Sequence, residues 1–199
     1  LTSIMSTTGD LRLPQPSREA AALLLAPPAV GYDEFVARFL QTWRLLRGGR
    51  FPEDEALDLD RAERTFARGI NPAGVGRQLR AILASGSRKE RLRTVKAPTL
   101  VIHGTVDPLV HPASGRATAA AIPNAELLMI DDMGHAPPLP LWPELVLAIA
   151  PDPPRATQRT AVRTVSSPRG GSLRTFGHWN QVCMAREGWR VEGKGGRAW

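Results

Sequence analysis

The sequence has few cysteines and aromatic side chains, and it has no long apolar run. Cys183 is the single cysteine among 199 residues, which excludes an internal disulfide and is compatible with a cytoplasmic location. No stretch of about 18 or more apolar residues occurs, so we expect no membrane-spanning helix. The sequence also lacks His and Cys at metal-ligand spacing and lacks a glycine-rich nucleotide-binding pattern. We therefore expect no metal, no nucleotide and no other cofactor.

Acidic residues are scarce in the last quarter of the chain. Residues 1–150 hold 17 Lys and Arg against 16 Asp and Glu, whereas residues 151–199 hold 9 against 3. Hydrophobic periodicity also stops after residue 150, so we expect 151–199 to be a disordered basic tail, of the kind a read-through or out-of-frame extension would have. Arginine with interleaved tryptophan can bind nucleic acid, but the nearly neutral remainder of the chain argues against that function.

The stretch around which the chain is organised is Ala97–Pro112, which reads A-P-T-L-V-I-H-G-T-V-D-P-L-V-H-P. Its short, β-branched apolar run predicts a parallel strand over 99–103 that is buried on both faces. The loop that follows this strand presents Asp107. Read alone, Asp107 before a proline is typical of a turn former.

A second strand and loop follow in the same pattern. The predicted strand 125–130 ends in the loop M-G-H-A-P-P, which presents His135, and a helix predicted over 112–122 joins the two strands. A strand–helix–strand crossover brings both loops to one edge of a parallel sheet, where ligands bind. Asp107 and His135 therefore match two members of a nucleophile–histidine–acid triad.

Other polar residues near these loops have simpler interpretations. We expect Asp131 and Asp132 to be solvated carboxylates at a strand end, His103 to lie at the floor of the site, and His111 to lie at the surface.

Residues 11–90, which we call the cap segment, predict helices without an intervening strand. Asn71 and Pro72 give the last of these helices an N-cap and a first-turn proline. The predicted helices of the chain outside the crossover are Ser17–Leu25, Tyr32–Arg47, one that begins at Pro52, one from Pro72 to about Gly86, Arg88–Lys96 and Trp142–Ala150.

Apolar residues in the cap segment recur at helical spacing. The stripe Phe35, Phe39 and Trp43 is typical of an inner helix face, and it could also line an apolar pocket, for which Phe39 and Trp43 are the candidate substrate-binding residues. The helix after Asn71 is expected to turn its own apolar positions inward. Those positions are Val75, Leu79, Ile82 and Leu83.

Two motifs resemble the carboxyl-terminal half of an α/β-hydrolase. They are P-T-L-V-I-H-G-T-V-D-P-L-V at 98–110 and I-P-N-A-E-L-L-M-I-D-D-M-G-H at 122–135, with the acid before the histidine as in that family. The start S-I-M-S-T-T-G-D-L-R-L-P and the ending G-H-A-P-P are similar to the aclacinomycin methylesterase branch. The resemblance implies a partial α/β fold in which 1–10 ends a core strand, 11–90 is a helical cap, 91–150 is the carboxyl-terminal core and 151–199 is the tail.

The resemblance implies hydrolysis of a carboxylic ester on a hydrophobic small molecule, with Asp107 as the acid and His135 as the base. The family's G-x-S-x-G nucleophile elbow does not occur in the sequence, and neither does its oxyanion-hole loop, so we expect this chain alone to be inactive. An Asp nucleophile, as in epoxide or haloalkane hydrolases, and a catalytically dead chain that only binds ligands both remain open. Without upstream strands, we expect the strand at residue 99 to have one open side and to promote self-association.

Overall fold

The computed structural model describes residues 1–48, 51 and 54–150, and the backbone of three further strands, 162–165, 181–185 and 188–192. The chain divides into two compact units, Leu1–Val165 and Ser166–Trp199, and each is described by itself. Within the described residues, no helix has the length and apolar character that crossing a membrane requires.

The first unit contains a four-stranded parallel sheet. Its strands are β1 (Thr2–Ile4), β2 (Leu100–Gly104), β3 (Glu126–Ile130) and β4 (Val162–Val165), in the order β1-β2-β3-β4. The two central predicted strands are therefore confirmed within one residue at each end. The expectation that the strand at residue 99 has an open side is wrong, because β1 pairs with one side of β2 and β3 with the other. Among the described strands, β1 forms one edge of the sheet.

Apolar side chains from β2 and β3 fill both faces of the sheet, because successive residues of a strand point to opposite faces. One face packs against the last helix of the unit and the turn before it, and the other packs against the crossover helix. The buried residues of the first face are Leu100, Ile102, Leu128, Ile130, Met133, Leu141, Leu145 and Ala148, and those of the second are Val101, Ala119, Ile122, Ala125, Leu127 and Met129.

The described residues of the first unit form seven α-helices, and polar side chains cap several of them. Ser17, Asp54 and Asn71 each accept a hydrogen bond from a main-chain N–H in the first turn of the helix that follows, which satisfies a donor that has no partner within the helix. The helices are α1 (Arg18–Leu24), α2 (Gly31–Arg47), α3 (Glu55–Ala67), α4 (Pro72–Ser85), α5 (Lys89–Leu92), α6 (Pro112–Ala121) and α7 (Trp142–Ile149), and a 3₁₀ turn spans Leu139–Leu141.

One prediction about the cap segment falls outside the described residues and another is wrong. Helix α3 begins at Glu55, where the Asp54 carboxylate caps its first turn, and Pro52, its predicted first residue, lies outside the described residues. Helix α4 buries none of its residues, and the predicted inward positions Val75, Ile82 and Leu83 are 58%, 53% and 64% exposed. Periodicity shows which residues share a helix face, but burial of that face also requires a neighbouring element.

The second unit contains two antiparallel strands, β5 (Gln181–Ala185) and β6 (Gly188–Glu192). Neither these strands nor β4 is predicted from the sequence, since each is short and lies in a segment without a clear apolar pattern. The remaining residues of 151–199, for which disorder is expected, lie outside the described residues.

Candidate active site

The loops after β2 and β3 lie directly against each other at the carboxyl edge of the sheet. Thr105 N–H donates to Ile130 O at 3.0 Å, and Val106 N–H donates to Met133 O at 3.2 Å. A Cβ at Gly104 would overlap the carbonyl group of Met133, so only glycine permits this approach. These main-chain contacts fix the relative position of the two loops without any contribution from the functional side chains.

Asp107 is buried, and its two carboxylate oxygens have different partners. Its Oδ1 accepts hydrogen bonds from Leu109 N–H at 2.9 Å and Val110 N–H at 2.8 Å. Its Oδ2 accepts one from His135 Nδ1 at 2.8 Å. Asp107 therefore forms the turn through Oδ1, and its Oδ2 is the oxygen available for the role of the acid. We call residues 105–110 the aspartate turn.

His135 occupies the loop after β3, residues 131–138, which we call the histidine loop. Its side chain is one-quarter exposed, and its Nδ1–H donates to Asp107. This bond selects the tautomer in which Nε2 has no proton and can accept one. The pair can therefore accept a proton at Nε2, and Asp107 can stabilise the imidazolium that forms.

His103 lies beneath the aspartate turn with no exposed surface. Its Nε2–H donates to Val110 O at 2.8 Å, and the same nitrogen lies 3.5 Å from Asp107 Oδ2. Burial lowers the pKa of His103 below its ordinary value, because desolvation disfavours the charged form of the ring. The closest approach on its other side is to Gly115 of α6, where a Cβ would lie 2.5 Å from His103 Nδ1.

The other polar residues near the two loops have positions of their own. His111 is exposed, and its Nδ1 accepts from Ala113 N–H at 3.2 Å as the N-cap of α6. Asp131 and Asp132 are partly exposed at the end of β3, and Asp132 N–H donates to Thr105 Oγ1 at 2.9 Å. The described residues contain no group of three His, Cys, Asp or Glu side chains that could hold a metal ion.

The aromatic stripe of α2 packs on itself and on α3. The rings of Phe35 and Phe39 have centroids 5.9 Å apart, those of Phe39 and Trp43 are 5.7 Å apart, and Phe66 of α3 lies 5.4 Å from Phe35. Phe39 thus has the packing role that the sequence also allowed. A substrate-binding role for Phe39 and Trp43 stays a prediction.

Trp43 lines two clefts between the cap segment and the core. One has a volume of about 250 Å³ and is walled mainly by apolar groups of Trp43, Pro137, Trp142, Leu145 and Val146, with Arg61. The other has a volume of about 470 Å³ and extends along the start of α3 and residues 136–140. The guanidinium of Arg61 lies 5.5 Å from the centre of the Trp43 ring, which is cation–π geometry. Both clefts adjoin the histidine loop through Pro137.

Sequence reasoning missed the contacts that support the histidine loop from α2. Gly134 N–H donates to Arg47 O at 2.9 Å, and Ala136 N–H donates to Leu46 O at 3.0 Å. The Arg47 side chain is buried in an ion pair with Asp58 of α3. These contacts cannot be read from the sequence because every residue has a main-chain carbonyl that can accept. Gly48 indicates only where the helix ends.

A family model described as the alpha/beta hydrolase fold matches residues 16–161. Rhodomycin D methylesterases DauP from Streptomyces sp. strain C5 and DnrP from Streptomyces peucetius are each 32% identical over 143 residues, which cover 69% of this chain and 47% of the relative. A pimeloyl-[acyl-carrier protein] methyl ester esterase from Aromatoleum aromaticum is 34% identical over 98 residues, covering 44% of this chain and 38% of the relative.

Among solved structures, the esterase RhEst1 from Rhodococcus sp. ECU1013 is similar with a TM-score of 0.52 and 21% identity, over 74% of this chain and 53% of that one. The chain spans about half the length of the rhodomycin D methylesterases it matches. The resemblance to methylesterases is confirmed, and the strands and loops are those that the two motifs predict. The chain therefore belongs to the α/β-hydrolase family.

Proposed function

We propose that this chain supplies the acid and the base of a carboxylic-ester hydrolase, Asp107 and His135. The observation that carries the proposal is the 2.8 Å hydrogen bond from His135 Nδ1 to Asp107 Oδ2, with the other Asp107 oxygen held by two main-chain N–H groups. A carboxylate held at one oxygen keeps the second aimed at the imidazole. The ring then has a fixed tautomer and a free Nε2, as a general base requires.

In the proposed reaction, His135 Nε2 removes the proton of a serine hydroxyl as that oxygen attacks the ester carbonyl. The imidazolium then gives this proton to the departing alcohol, which leaves an acyl-enzyme. His135 next takes a proton from water as the water oxygen attacks the acyl group. It returns this proton to the serine oxygen as that oxygen leaves, which releases the acid and restores the neutral imidazole. The Asp107 carboxylate stabilises each imidazolium through its hydrogen bond to Nδ1–H.

The proposal places the nucleophile and the oxyanion hole outside residues 1–199. No serine of the sequence has glycines at both the second preceding and the second following position, which a nucleophile elbow requires. An Asp nucleophile would use the same acid–histidine pair, but the methyl ester hydrolases among the relatives favour the ester reaction.

The proposed substrate is a hydrophobic small molecule with a methyl ester or a similar ester. Its apolar part would lie in the cleft of about 250 Å³ against Trp43, where nearly the whole wall is apolar. The proposed organisation is a helical cap over residues 11–90 and a carboxyl-terminal core over 91–150, with the substrate between them.

The first test uses residues 1–199 alone with p-nitrophenyl butyrate. We expect this chain to hydrolyse the ester no faster than its His135→Gln variant. A His135-dependent rate with an acyl-enzyme burst would place a nucleophile within these residues and would contradict that part of the proposal.

The second test reads the source DNA upstream of Leu1. If the open frame encodes a G-x-S-x-G elbow, we expect the longer product to hydrolyse the ester, and we expect Asp107→Asn to lower kcat by about 10⁴-fold. The exposed residues Asp60 and His111 give matched controls, Asp60→Asn and His111→Gln, which should retain activity. Full activity in Asp107→Asn and His135→Gln would overturn the proposal, and a closed frame would leave a chain that acts only by binding.

A further inference from the structure

The contact between α2 and the histidine loop surrounds His135 on both sides. Gly134 and Ala136, its two neighbours, donate their N–H groups to carbonyl oxygens of the last turn of α2, Arg47 O at 2.9 Å and Leu46 O at 3.0 Å. The last carbonyls of a helix have no partner within the helix, so they are available as acceptors. The main chain of His135 is therefore held between two hydrogen bonds to the cap segment.

The two segments meet at backbone distance. A Cβ at Gly134 would overlap the Leu46 carbonyl oxygen. On the α2 side, Gly48 has a φ of +87°, and a Cβ there would lie 2.8 Å from Asp132 O. Glycine on both sides permits an approach that any side chain would prevent.

The side chain of Arg47 links this turn of α2 to α3. Its guanidinium pairs with the Asp58 carboxylate, and both side chains are almost fully buried. Arg61 of α3 adds a second cation 3.4 Å from the other Asp58 oxygen. Removing one member of a buried pair leaves an uncompensated charge, so the position of this turn depends on the whole pair.

The same elements form the wall of the clefts. Trp43 precedes Arg47 by one helical turn, and Arg61 contacts both the Trp43 ring and Asp58. A molecule bound against Trp43 and Arg61 therefore contacts the elements that hold the histidine loop.

We propose that Arg47 is a positioning residue for His135: its carbonyl holds the histidine loop, and its side chain, paired with Asp58, holds the carbonyl in place. The description of His135 as a base rests on the proposed function, whereas the positioning itself can be measured without any substrate. Arg47 acts through the main chain of Gly134 and takes no part in bond making or breaking.

Hydrogen exchange in the full chain tests this proposal at single amides. Asp58→Asn keeps the shape of the side chain but leaves Arg47 without its counter-charge. We expect it to speed exchange of the Gly134 and Ala136 amides by about tenfold or more, with little change at the β3 amides Leu128 and Ile130. Asp60→Asn is the matched control, because Asp60 lies on the same helix in an exposed ion pair with Arg64.

A second pair of variants keeps the test decisive if Asp58→Asn does not fold. Arg47→Lys retains the charge and loses the guanidinium geometry, and the double variant Arg47→Met with Asp58→Leu replaces the ion pair by apolar contact. We expect faster exchange at Gly134 and Ala136 in the first variant and restored slow exchange in the second. The NMR signal of the His135 Nδ1 proton should weaken and recover in parallel.

Unchanged exchange at Gly134 and Ala136 in Asp58→Asn and Arg47→Lys would overturn the proposal. An equal rise at the β3 amides, or the same rise in Asp60→Asn, would also overturn it, because either result would show a general loss of stability. If exchange responds as expected while the longer product hydrolyses no ester, the positioning role stands and the proposed function fails.

Discussion

Strand β2 and helix α4 both carry clear apolar patterns, yet they differ completely in burial. Every residue of β2 is buried, whereas no residue of α4 is. β2 lies between two strands and between two layers of helices, so each of its faces has a partner. An apolar pattern therefore determines which face of an element is apolar, and the neighbouring elements determine whether that face is buried.

Helix α2 is intermediate between β2 and α4, because only part of its surface has a neighbouring element. Its aromatic residues pack on α3, and its last turn is bonded to the histidine loop. The site and the cap segment are thus joined by main-chain hydrogen bonds at the end of α2.

The largest expected difference is between two isoleucines. Ile102→Ala removes a fully buried side chain from β2 and should lower the free energy of unfolding by about 2–5 kcal/mol. Ile82→Ala acts on the exposed face of α4 and should change it by less than about 0.5 kcal/mol. Urea denaturation of both variants measures the difference. Equal losses of stability would show that α4 is buried in solution and would contradict the difference in burial between β2 and α4.

Two glycines in helices give the next largest difference. A Cβ at Gly115 of α6 would lie 2.5 Å from the buried His103 ring, so Gly115→Ala should destabilise the fold by about 1–3 kcal/mol. At Gly76 of α4 the nearest atom would be 3.9 Å away, and Gly76→Ala should stabilise that helix by about 0.5–1 kcal/mol. Thermal unfolding followed by circular dichroism compares the two, and a destabilising Gly76→Ala would contradict the account of α4.

The smallest expected difference concerns two glutamates in the first turns of helices. Burial raises the pKa of Glu144 in α7 above its ordinary value, so the folded state binds a proton there more tightly than the unfolded state. Its contribution to stability is therefore present at pH values below the ordinary Glu pKa and is lost as pH rises through the raised value.

Glu144→Gln removes this loss because the amide stays neutral. The variant should be more stable than the parent chain at pH 7, and the gain should shrink at about pH 4, near the ordinary Glu pKa. Glu19→Gln is the matched control, since Glu19 occupies the first turn of α1 and is exposed. Denaturation at the two pH values measures both variants, and a gain in Glu19→Gln equal to that in Glu144→Gln would remove burial as the cause.

The parts of the fold that the sequence predicts well are those that local patterns determine. The apolar runs at Leu100 and Leu127 predict β2 and β3, and strand–helix–strand geometry then predicts that Asp107 and His135 meet. The cap at Asn71 is predicted for the same reason, since a capping side chain acts on the next few residues.

The features that the sequence did not predict depend on main-chain contacts between residues that are far apart in the sequence. The sequence predicts the end of a strand within residues 1–10, but three residues are too few for an apolar period to show that β2 is the partner of β1. The bonds from Gly134 and Ala136 to the end of α2 use carbonyl oxygens, which every residue has. The start of α3 at Glu55 is marked by one side-chain hydrogen bond, from Leu57 N–H to the Asp54 carboxylate.

The most direct test of the account is NMR detection of the His135 Nδ1 proton in the ¹⁵N-labelled chain of residues 1–199. We expect a downfield proton signal coupled to His135 Nδ1, because that nitrogen donates to the buried Asp107 carboxylate at 2.8 Å. The signal should disappear in Asp107→Asn and remain in Asp60→Asn. A His135 ring with its proton on Nε2, or with the same spectrum in Asp107→Asn as in the parent chain, would contradict the acid–base pair.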